Sequence, residues 1–284
     1  MDKYLIINAD DFGYNEQQTR AIRELYTGGL ITSCSLMAVA PCAKKAAEHS
    51  ARDGFPVGVH LTINSDDDSA RWQSISGGSS LSDGKGLYFK QSALAFNAKR
   101  RDVRQELEAQ YSFISQLGAS VDHADNHCAT LYGINGRRFF LDAYDFCARH
   151  SLPYRFPKCP DFLERQLGRR IPKPLLRAHA AIVNSGLKRG VRLLDDLVSN
   201  PQSISQIGSY EDLRDYYINA VRACKPGITE MFLHPAYALD DCISEWTKRV
   251  YEFELLKSGD LMCEAEKNGV RLVSWSVFDM ITGQ

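Results

Sequence analysis

No stretch of this 284-residue chain approaches the run of about 18 apolar residues that a membrane-spanning helix needs. The apolar run near the N-terminus, Leu5 to Ile7, is too short for the core of a secretory signal, so a cytoplasmic protein with no membrane partner is expected. Neither sign of charge is in excess. With 34 Lys and Arg against 35 Asp and Glu, the net charge is -1, and no global field draws the chain to nucleic acid. Cysteine occurs 8 times but never as a Cys-x-x-Cys pair. A zinc ribbon and a disulfide scaffold are therefore both disfavoured, and reduced thiols are expected. Internal repeats and dividing linkers are missing too. The 44% hydrophobic and 24% charged composition is that of a globular protein with a sizeable core, expected to form a single domain over 1–284.

What is present is an alternation of apolar runs with helical stretches. The opening segment, Tyr4 to Asn15, is a short apolar run that stops on Asp10, Asp11 and Gly13. Parallel strands covered on both faces read this way, and functional residues of α/β folds collect just beyond their carboxyl ends. A helix is expected over 16–27, a strand over 30–39, a helix over 41–52 and a strand over 57–64. In that last strand Val57, Val59, Leu61 and Ile63 share one face, and Gly58, His60, Thr62 and Asn64 the other. Residues 65–90, rich in Ser, Asp and Gly, form a long excursion of the kind that usually carries function. Helices follow at 99–117, 139–149, 210–224 and 245–267. Strands are expected at 121–128, at 152–157 (delivering Arg155), over 228–234 (ending on His234) and over 269–275. Residues 159–200 read as two weak helical stretches with a solvated basic face. Strand and helix alternate from end to end, which argues a TIM-barrel-like (β/α) barrel, closed or nearly so, that need not reach eight regular repeats.

Such a barrel brings Asp10, Asp11, His60, His127 and His234 from separate strand ends to one mouth. The segment Val121-Asp-His123-Ala-Asp125-Asn-His127-Cys128 packs two histidines and two aspartates together, an arrangement expensive to bury without a role. Imidazole with carboxylate is the usual ligand set for zinc, iron, manganese or cobalt, and further carboxylates orient the ligating histidines. One carboxylate and two imidazoles would leave a divalent ion open positions for water and substrate. Asp10 and Asp11 are neighbours on an extended segment, so they are expected to point to opposite sides and not to share one ion.

Four stretches, Asn8-Ala-Asp-Asp-Phe-Gly13, Gly58-Val-His-Leu-Thr62, Asp125-Asn-His127 and Thr229-Glu-Met-Phe-Leu-His-Pro235, resemble the YdjC-like carbohydrate deacetylases, which include chito-oligosaccharide deacetylases. The resemblance spans nearly the whole chain. Members commonly read Asp-Ser-His-His-His at the third stretch. This chain has Asp125-Asn126-His127-Cys128-Ala129, keeping the ligand position and losing the extra histidines. The resemblance implies hydrolysis of an N-acetyl group from an amino sugar or short oligosaccharide, with release of acetate. It implies Asp11, His60 and His127 as ligands of one divalent ion, magnesium by family and zinc, manganese or cobalt by the imidazoles. Asp10 would then be the base and His234 the acid. Arg155 would orient Asp10 or stabilise the oxyanion, with Asp125 and His123 behind the ligands. Tyr132, Tyr237 and Trp275 are the candidate sugar-binding aromatics, and a homodimer is compatible with the reading. The alternatives are a hydrolase of another amide or of a phosphodiester, the latter disfavoured by net charge, and a non-catalytic sugar binder that stacks these aromatics and Trp72 on pyranose faces.

Overall fold

The computed structural model describes residues 2–67, 70–133, 136–240 and 245–282. In chain order the elements are β1 (Lys3–Phe12), α1 (Glu16–Thr27), β2 (Ser33–Leu36), α2 (Ala43–Asp53), β3 (Val57–Leu61), α3 (Gln91–Asn97), α4 (Arg100–Gln116) and β4 (Val121–Asn126). After a 3₁₀ turn (His127–Tyr132) come α5 (Phe140–His150), β5 (Tyr154–Pro157), α6 (Asp161–Leu167), α7 (Lys173–Leu187), β6 (Leu193–Leu194) and β7 (Asp196–Val198). The chain ends with α8 (Ile204–Ile207), α9 (Tyr210–Arg222), β8 (Gly227–Leu233), α10 (Trp246–Ser258), α11 (Asp260–Lys267), β9 (Val270–Leu272) and α12 (Val277–Thr282).

All strand pairs are parallel, in the order β6-β5-β4-β3-β2-β1-β8-β7. The ends of that order are consecutive in the chain, so the sheet closes on itself. Leu193 and Leu194 pair with β5, while Asp196 to Val198 pair with β8. Between them the Asp195 carboxylate accepts from the Ile228 amide at 2.8 Å. One bent segment thus serves two neighbours and makes a barrel of seven staves. β9 pairs only with Lys3 to Leu5 of β1, below the point where β2 takes over that edge. The barrel expectation holds, with fewer than eight regular repeats.

The expected helical reading of 159–200 missed this closing segment. Its sequence, Leu193-Leu-Asp-Asp-Leu197, does not alternate, because Asp195 and Asp196 serve the bend and Leu194 and Leu197 plug the barrel. The single helix expected over 245–267 is two, parted at Gly259, where φ is +76°. Several strands are also shorter than their apolar runs suggested, since Ile63 and Thr62 already lead into the excursion. Cys242 lies outside the described residues; the other seven cysteines are free thiols.

Alternation sets two cores. Leu5, Ile7, Ala9, Val57, Val59, Leu61, Ala124, Tyr154, Met231 and Leu233 face the helical layer and join the larger one. Ile6, Leu194, Leu197, Ile228 and Trp275 fill the barrel floor. Above that apolar plug the interior turns polar. His123 is fully buried on β4, with Nδ1 2.6 Å from Asp122 and its ring stacked on Trp275 at 4.4 Å and 9°. The ring lies over Gly58, where a Cβ would run into the imidazole. Gly58→Ala should therefore destabilise the protein by about 1 to 3 kcal/mol, the usual range for overpacking a filled interior. Denaturant unfolding at neutral pH checks it, and an unchanged midpoint would mean the His123 ring has room to yield.

Candidate metal centre and its supports

Asp10 and Asp11 both reach the barrel mouth, contrary to the expectation from simple alternation. Even positions of β1 (Ile6, Asn8, Asp10) face inward, so Asp11 belongs to the outward set. Its φ is +65°, and the register with β2 slips there: Ala9 opposes Cys34 and Phe12 opposes Leu36, three steps against two. This bulge turns Asp11 inward and returns Phe12 to the outer core. The left-handed backbone at a non-glycine residue costs on the order of 1 kcal/mol or more, which the surrounding contacts must hold in place.

Three donor atoms then meet. Asp11 Oδ1, His60 Nε2 and His127 Nδ1 are each 3.3 Å from the other two. Ligands about 2.1 Å from one tetrahedral ion stand about 3.4 Å apart, so the triangle fits a divalent metal. Asp11 Oδ1 is buried and has no hydrogen-bond partner, an orphan that a cation would satisfy. The other nitrogen of each imidazole is tied to a carboxylate. His60 Nδ1 donates to Asp125 Oδ1 at 2.8 Å, and His127 Nε2 donates to Asp66 Oδ1 at 2.5 Å. These partners fix the tautomers so that both free lone pairs face Asp11. Arg249 Nη1 holds Asp11 Oδ2 at 3.1 Å and leaves Oδ1 alone to ligate.

The electrostatics agree with a cation site. Burial works against charge on His60, yet Asp125 and Asp11 more than offset it and raise its pKa to about 10. His127 is likewise raised, against burial, by Cys128, Asp11 and Asp66. Burial opposes the charge of Asp11 too, but the two histidines and Arg249 hold its carboxyl well below the usual range. Positive charge is favoured between these three residues, whether proton or metal supplies it.

Beneath the triangle lies Arg155, 3% exposed. Its Nη1 and Nη2 grip Asp10 Oδ2 and Oδ1, both at 2.7 Å; Nη2 also meets Asp125 Oδ2 at 2.8 Å, and Nε bonds both oxygens of Glu230 at 3.0 and 2.9 Å. Each of its three nitrogens bonds a carboxylate, an arrangement that suits the orienting role, the first of the two expected for it. Asn8 Nδ2 adds a 2.8 Å bond to Asp10 Oδ1. Asp10, His60 and Asp125 also cluster at metal-ligand range, but Arg155 already neutralises their carboxylates. Burial pushes Glu230 up to about 7 despite Arg155. At the rim, His234 is a third exposed; its Nε2 stands 3.9 Å from Asp10 Oδ2 and its Nδ1 3.9 Å from Glu252. Burial lowers its pKa, with Asp11 pulling the other way.

The remaining candidates fall elsewhere. His123 lies a layer below the ligands, bonded to Asp122 and to neither imidazole, so it does not support them directly. Trp275 is 1% exposed beneath that ring and cannot stack on a sugar. Tyr132 gives its hydroxyl to the Arg155 carbonyl and packs on Phe156. Tyr237 turns to the helical layer, with its hydroxyl on Glu24 of α1 and its ring under Arg20. Trp72 is buried, edge-on to Tyr14. Of the four aromatics on which a sugar could stack, Trp72 and Trp275 are buried and Tyr132 and Tyr237 half-buried.

Sequence reasoning missed Asp66, Arg249, Glu230 and Glu106. Asp66 had a signal, since it sits in the excursion marked as functional; Arg249 is one charge among many on α10 and had none. Glu106 explains how the excursion stays put. This fully buried carboxylate of α4 accepts from the Ser74 hydroxyl at 2.6 Å, the Ile75 and Ser76 amides at 3.0 and 2.9 Å, and Tyr88 Oη at 2.5 Å. One turn on, Gln110 clasps the Thr62 backbone through both its amide atoms.

A sequence profile described as YdjC-like protein matches residues 4–264. A carbohydrate deacetylase of Thermoanaerobacter pseudethanolicus is 26% identical over 97% of this chain and 99% of its own length. A chitooligosaccharide deacetylase of Yersinia enterocolitica is 27% identical, over 97% and 99%. A solved structure from Enterococcus faecalis, named for cellobiose-phosphate cleavage, superposes with a TM-score of 0.76 at 25% identity, covering 98% of this chain and 99% of that one.

Two predictions follow from the supports. Asp66→Asn should weaken divalent metal binding about 10- to 100-fold, as losing the partner of a ligating histidine does, and Glu106→Gln should lower it in the same direction by releasing the excursion. Metal titration by calorimetry measures both; unchanged affinity in Asp66→Asn would remove Asp66 from the site. His127→Ala should abolish metal binding, whereas His123→Ala should leave affinity nearly intact and instead lower stability. Equal losses of affinity would place His123 among the ligands.

Proposed function

This chain belongs to the YdjC-like family, and on that premise we propose that it is a metal-dependent hydrolase that removes the acetyl group from an N-acetylated amino sugar or short oligosaccharide. The observation that carries the reading is the buried triangle of Asp11, His60 and His127 beside a carboxylate, Asp10, that is held for a different task. The deacetylase names of the full-length relatives supply the substrate class. Two imidazoles and one carboxylate suit zinc, manganese or cobalt better than magnesium, which prefers oxygen ligands and retained waters.

When bound, the ion would polarise the acetyl carbonyl and lower the pKa of a water at the open positions. The chain's own residues do the rest. Asp10 accepts the proton of the attacking water; Arg155 and Asn8 fix its carboxylate so that no reorganisation is needed. Asp125 and Asp66 keep the imidazoles in the ligating tautomer. His234, at the rim with its Nε2 3.9 Å from Asp10 Oδ2, relays to the departing amine the proton that Asp10 took from the water. Acetate and the free amino sugar leave through the mouth.

An acetate-release screen over N-acetylated mono- and disaccharides, with zinc, manganese, cobalt and magnesium in turn, tests the substrate class; release from none of them by folded, metal-loaded protein would remove it. The two aspartates should fail differently. Asp11→Asn should lose most of the metal, while Asp10→Asn should keep it and turn over about 10²- to 10⁴-fold more slowly. Metal content and acetate release measured side by side decide the assignment, and the opposite pattern would exchange the two roles.

A further inference from the structure

Cys128 directly follows the candidate ligand His127 in the chain, and the proposed reaction does not use it. Its thiol is exposed. Backbone φ is 53° at both Cys128 and Ala129, two successive non-glycine residues in the disfavoured left-handed region. Gln91 holds this turn by bonding the Cys128 carbonyl at 2.8 Å and Thr130 Oγ1 at 2.9 Å. The result directs Sγ at Asp66 Oδ1, 3.8 Å away, the same oxygen that accepts from His127 Nε2 at 2.5 Å. A sulfur, an imidazole nitrogen and a carboxylate oxygen thus lie within 4.8 Å of one another, on the side of His127 opposite Asp11.

We propose that Asp66, His127 and Cys128 form a second cation site at the mouth, selective for a thiophilic divalent ion such as Zn²⁺ or Cd²⁺. Thiolate and imidazole select these ions, and Mg²⁺ is rejected because it demands oxygen ligands. Binding releases the thiol proton and the His127 Nε2 proton to solvent. His127 then bridges two ions through its two nitrogens, and Asp66 changes from hydrogen-bond acceptor to ligand. An excess of such an ion inhibits the enzyme, because Asp66 no longer fixes the imidazole. That consequence rests on the proposed catalytic reading, whereas the binding itself does not.

Cadmium titration of the whole protein tests the site, read by bound-ion stoichiometry and by thiolate-to-cadmium charge-transfer absorption, with circular dichroism to confirm folding. Wild type should take about two ions per chain, one of them producing the absorption band. Cys128→Ser should lose the band and bind about one ion; Asp66→Asn should weaken the band-forming event about tenfold or more; His60→Ala should keep the band and lose the other ion. No band in folded wild type, a band that survives Cys128→Ser, or an unchanged band affinity in Asp66→Asn would each overturn the proposal. Two ions retained in His60→Ala would instead count against the inner triangle and leave the outer site standing.

Discussion

A guanidinium buried among three carboxylates organises this barrel. Arg155 draws Asp10 from β1, Asp125 from β4 and Glu230 from β8 to one point on the axis. A buried cluster of this kind is not a cheap source of stability, since desolvating four charged groups offsets much of their attraction. Its effect is positional. With both oxygens of Asp10 gripped and Asp125 anchored, the side chains above them have few alternatives, and His60 takes its tautomer from Asp125. Removing Arg155 would leave three uncompensated carboxylates under the mouth.

The layering follows from that point. The floor is apolar, with Trp275 and Ile6 at its centre; the middle holds Arg155 and Glu230; the top holds the donor triangle. Each layer excludes water from the next and raises the strength of its electrostatics. The proposed ligand and the proposed base are divided by the same device. Asp10 is locked by a cation and kept from ligation, while Asp11, swung inward by the bulge, keeps one oxygen free. Two adjacent carboxylates of one strand acquire two chemistries from their neighbours.

Much of this could be read from the chain because strand-end chemistry is local. Asp10, Asp11, His60, His127 and His234 follow apolar runs with the right period, and the barrel that joins them is implied by the alternation of strands and helices. What escaped was long-range or irregular. The bulge at Asp11 depends on register with β2, which adjacent residues do not reveal. The closing segment at Leu193 to Val198 carries two aspartates because it bends, so it imitates a loop. Asp66 reaches His127 from an excursion that Glu106, on a helix 40 residues further on, pins at Ser74 to Ser76 and Tyr88. The aromatics were misplaced for a similar reason: Trp275 and Tyr237 follow strands, but one turns into the barrel floor and the other out to α1.

In the proposed site Asp11, His60 and His127 converge on one divalent ion while Asp10 stands apart. Anomalous diffraction from crystals soaked with manganese tests it directly. A peak is expected about 2.0 to 2.3 Å from Asp11 Oδ1, His60 Nε2 and His127 Nδ1, with both Asp10 oxygens still on Arg155. A peak between Asp10 and Asp125, or no peak in the barrel mouth at saturating metal, would contradict it.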